Sequence, residues 1–197
     1  MKRLKIIYKS ILFIGCFYVS NITKAQNWDI NLLRDINPQQ PNSFVWKGFT
    51  SSAYPLSIAT PVAVWVDAKI YHNKKNEYNA YEIAGSVIIA AGATEAMKRI
   101  FNRQRPFEKN TGVYPYQYES GQSFPSGHAS LAFATAASVS IEYKKWYVVV
   151  PAYVWACGVG YSRLYLGEHY PTDIIGSAVT GSASAIISHW ISKKLFK

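Results

Sequence analysis

Residues 125–173 read PSGHASLAFATAASVSIEYKKWYVVVPAYVWACGVGYSRLYLGEHYPTD. The run from Gly127 to Ile141 is rich in Ala and Ser, Lys144-Lys145 follows it, and Trp146 to Ser162 is uncharged and aromatic. Neither run alternates apolar with polar residues, and no hairpin signal lies between them. The stretch therefore reads as helix, polar turn, helix. Its outer ends, Pro125 to His128 and Ser162 to Asp173, gather the polar and titratable residues.

The same pattern extends in both directions. Gly48 to Val66 carries no charge, Ala80 to Met97 has Glu82 and Glu95 near its ends, and Ile174 to Ser192 contains no Lys, Arg, Asp or Glu. The reading is all-α, a helical bundle of about five core helices. Residues 26–53 are polar and mixed, with one or two turns of surface helix over Asp29 to Ile36. Residues 1–25 open with Lys2, Arg3, Lys5 and Lys9, continue with an apolar centre from Ile11 to Val19, and close on Thr23-Lys24-Ala25. That order suits a signal peptide or a first transmembrane helix. A lipoprotein site at Gly15-Cys16 fits poorly, because Phe13 and a short apolar run precede it. The expected division is 1–25 as signal or first helix and 26–197 as one domain.

A chain of 197 residues is long enough for one domain with a proper core. Its net charge of +10 suits an anionic partner. Nucleic acid is excluded as the expected partner, since no basic stripe with interleaved stacking aromatics appears. Cys16 and Cys157 lie far apart, so neither a disulfide framework nor a zinc spacing is present.

A membrane-spanning helix needs roughly 20 mostly apolar residues. Three runs come close at 17 to 19 uncharged residues. With 1–25 counted as the first of six crossings, Lys74-Lys75, Lys144-Lys145, Lys193-Lys194 and the N-terminal cluster share one side. By that count 12 of the 21 Lys and Arg lie on it. Basic short loops mark the cytoplasmic side. The polar blocks then fall on the opposite side. In a soluble bundle, the same lysine pairs would simply cap helix C-termini.

Three blocks carry candidate chemistry. Lys98 and Arg105 are seven apart, so a helix continuing to Pro106 places both cations on one face, with Arg99 and Arg103 pointing elsewhere. Arg clamps phosphate oxygens bidentately and Lys adds a point charge. Ser126, Gly127 and His128 stand at a helix start, where free N–H groups and the helix dipole favour an anion. Gly127 lets the backbone approach closely, and Ser126 offers a hydroxyl. The ordinary pKa of His128, ~6.5, suits a proton donor to a leaving oxygen. In the third block Arg163 adds a cation, and His169 and Asp173 are four apart around Pro171. A carboxylate on one ring nitrogen fixes the tautomer and leaves the other nitrogen to attack. Glu168 adjoins His169. His72 and His189 match no pattern and read as interfacial.

Together the blocks resemble the type 2 phosphatidic acid phosphatase / vanadium haloperoxidase superfamily, through K-x6-R-P, P-S-G-H and S-R-x5-H-x3-D. All eleven fixed positions are present: Lys98, Arg105, Pro106, Pro125, Ser126, Gly127, His128, Ser162, Arg163, His169 and Asp173. The resemblance implies a phosphatase that works without metal or other cofactor, through a phosphohistidine. His169 is then the nucleophile, Asp173 its orienting partner and His128 the acid. Lys98, Arg105, Arg163, Ser126 and Gly127 form the phosphate cradle.

The function expected first is hydrolysis of a phosphorylated lipid in the membrane: polyprenyl pyrophosphate, phosphatidylglycerophosphate, phosphatidate or a lipid A phosphate. The resemblance implies a multi-pass protein of the bacterial inner membrane with its site facing the periplasm. The main alternative is a soluble, secreted, broad-specificity acid phosphatase. A vanadate-dependent haloperoxidase is disfavoured by size, and a non-catalytic phosphate binder by the full set of catalytic residues. Neither the exact substrate nor the oligomeric state is encoded legibly. The aromatic segment from Phe107 to Phe124 reads either as a lid over the site or as an aromatic belt at a membrane surface.

Overall fold

Polar caps and turn residues divide this chain into helices before packing acts on them. The structure is a computed structural model and describes residues 28–196. The expectation for residues 1–25 lies outside the described residues. A helix over 28–36 (α1) is followed by α2 (Phe44–Ile70), α3 (Lys74–Phe101), short α4 (Pro106–Lys109), α5 (Gly127–Tyr143), α6 (Trp146–Tyr165) and α7 (Pro171–Phe196). There is no strand among the described residues. The five long helices are α2, α3, α5, α6 and α7, as the apolar runs indicate.

The Asn73 side chain caps α3 by accepting from Asn76 N at 3.2 Å. Asn102, at φ 43°, ends that helix in the left-handed region, which Asn tolerates better than most residues. Lys144 ends α5 the same way at φ 48°. Pro106 and Pro171 occupy first helical positions, where a missing N–H costs nothing.

Helix α5 is the axis of the bundle. It packs against α2, α3, α6 and α7, and every residue from Ala129 to Val139 is buried. A helix buried on all faces must be acceptable on all faces. Its Ala, Ser and Thr residues meet that demand by keeping neighbouring backbones close. At Gly181 of α7, an added Cβ would lie 2.4 Å from Ser130 O and 2.7 Å from Ala134 N. Close approach through small residues is the packing mode of helices in lipid. Buried hydroxyls tie both helices to α3, with Ser138 Oγ 2.6 Å from Ser86 Oγ and Ser188 Oγ donating to Glu82 O at 2.7 Å.

The outer surface is strongly apolar. Ile58, Val62 and Trp65 on α2, Ile88 on α3, Val150 and Val154 on α6, and Val179 and Ile186 on α7 are all exposed. By length and composition, one helix among the described residues, Pro171–Leu195, is apolar enough to cross a membrane; its mean hydropathy is 1.3.

Three local expectations are corrected. Helix α3 stops at Phe101, so it does not carry Lys98 and Arg105 on one continuous face, and Pro106 begins a helix instead of ending one. The left-handed turn at Asn102 redirects the chain, and Arg105 enters the site from a loop. The helix over 28–36 is more than a surface turn, because Asp29 and Leu33 are buried. His189 is not simply interfacial: its Nδ1 lies 2.8 Å from Glu82 Oε1 and 3.1 Å from Glu142 Oε1, joining α7, α3 and α5.

Candidate active site

The site forms at the end of the bundle where α3 and α6 finish and α5 and α7 begin. Lys98 and Arg163 lie in the last turns of α3 and α6, and His128 and Asp173 in the first turns of α5 and α7. Helix C-termini favour cations, and helix N-termini favour anions and carboxylates. Arg105, Glu119, Glu168 and His169 come from the connecting loops.

His169 is 1% exposed, and its Nδ1 lies 3.4 Å from Asp173 Oδ2. The ring's other nitrogen, Nε2, is left for attack. Burial pushes the His169 pKa down to about 4, and the hydrogen bond and charge of Asp173 only partly oppose this. The ring is therefore neutral at ordinary pH.

Asp173 is itself firmly held. Its Oδ1 accepts from Arg103 Nη1 at 2.6 Å, and its Oδ2 accepts from Tyr170 N at 2.9 Å and from Ser123 Oγ. Arg103 in turn donates through Nη2 to Asp29 Oδ2 at 2.6 Å, and its guanidinium lies 3.9 Å from the Tyr170 ring centroid. Asp29 Oδ1 accepts from Thr172 N at 2.9 Å. Asp29, Arg103 and Asp173 thus form a chain of ion pairs that locks α1 to the start of α7. Arg103 does not point elsewhere, as helical spacing suggested. The turn at Asn102 aims it at the carboxylate that orients His169.

The cationic cradle is built around two buried arginines. Arg105 donates through Nε to Gly121 O at 3.2 Å and through Nη1 to Glu168 O at 3.1 Å. Arg163 donates through Nη1 to Thr50 Oγ1 at 2.6 Å. Lys98 lines a small cavity with Tyr54 and Gly127, of about 160 Å³. A larger cavity of about 650 Å³ is lined by His128, Arg163, Glu119, Glu168, Lys47 and Tyr116 among others. His128 stands edge-on to Tyr54, with ring centroids 4.5 Å apart. Gly127 keeps this contact free of crowding, since an added Cβ would lie 3.1 Å from Tyr54 Oη and press on it. Ser126 is fully buried and acts chiefly as the helix cap. Its hydroxyl faces Ala129 N at 3.5 Å, and its own N–H donates to Ser177 Oγ at 2.8 Å.

Two carboxylates complete the site. Burial pushes Glu168 up to about 7 against the opposing charge of Arg163, and its Oε2 has no hydrogen-bond partner. For Glu119, burial also raises the pKa, but the charge and hydrogen bond of Arg163, with Arg105, outweigh it and hold the group at about 2. No spacing rule pointed to Asp29, Ser123 or Glu119. Asp29 reaches the site from α1, and Ser123 and Glu119 from the loop before α5, all from distant parts of the sequence. The structure brings together all the residues singled out from the sequence: Lys98, Arg105, Ser126, Gly127, His128, Arg163, His169 and Asp173.

A family model, the PAP2 superfamily, matches residues 79–197. The chain belongs to the PAP2 superfamily. This PAP2 chain is 27% identical over 158 residues to the lipid A 4'-phosphatase of Bacteroides thetaiotaomicron, covering 72% of itself and 70% of that relative. It is 31% identical over 104 residues to the undecaprenyl-diphosphatase of Sulfolobus acidocaldarius, covering 52% of itself and 50% of that relative. Among solved structures it is similar to Aquifex aeolicus LpxE, with a TM-score of 0.68, 25% identity, and coverage of 83% of this chain and 95% of that one. The match to the second relative thus spans about half of that protein's length. Family and relatives place this PAP2 chain among the hydrolases of phosphoric monoesters and pyrophosphates.

Proposed function

We propose that this protein hydrolyses a lipid phosphate or lipid pyrophosphate through a phosphohistidine, at a site facing the periplasm. The observation that carries the reading is the buried His169, neutral and fixed by Asp173, beside the arginines Arg105 and Arg163 at one bundle end. His169 Nε2 attacks phosphorus, and the bond from phosphorus to the leaving oxygen breaks. His128 gives that oxygen its proton: in the resting site burial, with the neighbouring charge of Arg163, holds its pKa down to about 3, so the negative charge of the bound phosphate has to raise it before the ring carries the proton it donates. Water then attacks the phosphohistidine, His128 takes a proton from it, and inorganic phosphate and free His169 are regenerated. Lys98, Arg105 and Arg163, with the N–H groups at the start of α5, spread the charge of the transferring phosphoryl group.

A lipid substrate is supported by the exposed apolar faces of α2, α3, α6 and α7. Between α2 and α3 runs a groove of about 540 Å³ whose walls include Ile58, Val62, Trp65, Val87 and Ile88. The cavity holding Lys98 lies further along the same two helices. The groove suits an acyl or prenyl chain whose phosphate reaches the cradle. The relatives support the class: one is named for lipid A and the other for undecaprenyl diphosphate. In this reading 26–197 is the phosphatase domain. Residues 1–25 are an export signal or the first of six membrane segments, and the protein is inserted in the inner membrane. The test is phosphate release from purified protein. Polyprenyl pyrophosphate, phosphatidate, phosphatidylglycerophosphate and a lipid A phosphate would be set against a water-soluble phosphomonoester. Preference for a lipid is expected, and equal or better turnover of the soluble ester would favour a broad-specificity acid phosphatase.

A further inference from the structure

We propose that Glu119 is a tethered counter-anion that occupies the phosphate seat of the resting enzyme, so that it sets how well the site accepts free phosphate against lipid-borne phosphate. The inference rests on the phosphatase reading of the site. Its ground is geometric. Glu119 Oε2 lies 2.9 Å from Arg105 Nη2, and Glu119 Oε1 lies 2.7 Å from Arg163 Nη2. One carboxylate thus bridges the two arginines of the cradle, each oxygen taking one guanidinium, as two oxygens of a phosphate would.

The fit is incomplete in a way that points to a larger anion. Arg163 Nε is buried with no hydrogen-bond partner. Glu168 does not fill the gap, since its Oε2 stays 3.5 Å from Arg105 Nη1 and 4.0 Å from Arg163 Nη2. A carboxylate offers two oxygens, and a phosphoryl group offers three. Glu119 takes the terminal Nη2 of each arginine and leaves Arg163 Nε unused.

Glu119 is also placed to leave. Its side chain is 29% exposed, against 2 and 3% for the arginines it bridges, and it lines the larger cavity. It follows Tyr118, which is 84% exposed, and precedes Gly121 at φ +88°. The loop around it is anchored separately, with Tyr116 N on Leu166 O at 2.9 Å and Gln117 N on Glu168 Oε1 at 3.1 Å. The carboxylate can therefore swing out while the loop stays in place.

The functional consequence follows from competition. A tethered carboxylate acts at a high effective concentration, and a ligand's apparent affinity falls by the fraction of time its seat is taken. A lipid phosphate offsets that loss through its chain. Inorganic phosphate has no chain, so Glu119 speeds product release and disfavours small soluble esters.

The experiment is calorimetric titration of inorganic phosphate into the detergent-purified full chain, for the unaltered protein, Glu119→Gln and Glu119→Asp. KM values for a lipid phosphate and for p-nitrophenyl phosphate would be measured alongside. Both variants should bind phosphate about tenfold more tightly or better, and KM should fall more for the soluble ester than for the lipid. Asp retains the charge but is one methylene too short to bridge both arginines. Tightening in Gln alone would therefore show a general field effect and overturn the proposal. Unchanged or weaker binding in both would overturn it too, making Glu119 a positioner of the arginines. Failure of both variants to fold would also overturn it, because a displaceable anion must be dispensable. Phosphate binding by none of the three proteins would instead remove the phosphate site itself and the proposed function with it.

Discussion

At His169 the chemistry depends on a ring that stays neutral. Burial holds its pKa at about 4, so lowering the pH from 7 to 5 does not protonate the nucleophile. Once the substrate's own ionisation is allowed for, the acid limb of kcat/KM should fall near pH 4, and a limb near 6.5 would contradict this. Glu168 works in the other direction. With its pKa at about 7, raising the pH through 7 ionises it and adds negative charge beside the phosphate. KM should therefore rise across that range, and Glu168→Gln should flatten the rise. Arg103→Gln removes a partner of the fully buried Asp173. Its expected signature is a fall in kcat of about tenfold or more with KM little changed, since it alters the orientation of His169 and not the cradle. The sequence made the proposed nucleophile and its partner legible because their spacing is local: four positions separate His169 from Asp173. It did not show Asp29 or Glu119. Asp29 meets Arg103 across 74 positions and Glu119 meets Arg163 across 44, and no local pattern records such contacts.

Among the helices, legibility depended on composition. The uncharged, small-residue run over Gly127 to Ile141 was readable as a helix, and α5 covers Gly127–Tyr143. The end of α3 was not, because Arg103 and Arg105 are good helix formers and only the left-handed Asn102 breaks the run. That one residue decides whether Arg105 and Arg103 reach the site. The close approach of α5 and α7 makes a separate prediction. Gly181→Ala places a Cβ 2.4 Å from Ser130 O. It should destabilise the protein by about 1–3 kcal/mol, read as a lower thermal midpoint in detergent. Gly92 of α3 has nothing within 4 Å of an added Cβ. Gly92→Ala should leave the midpoint unchanged or raise it, by up to about 1 kcal/mol of helix propensity. Equal effects of the two variants would contradict the packing described for α5.

For the whole molecule, the apolar outer face and the polar end that holds the site together describe an enzyme working at a membrane surface. The protein should stay with the membrane fraction after an alkaline carbonate wash, and release into the supernatant would contradict a membrane-inserted form. The central claim is that His169 carries the phosphoryl group of a lipid substrate. Its most direct measurement is phosphate release from a lipid phosphate in the presence of a chelator, by the purified protein and by folded His169→Ala. Turnover should persist in chelator and fall by about 10³-fold or more in the variant. Turnover retained by His169→Ala, or lost from the unaltered protein on chelation, would contradict it.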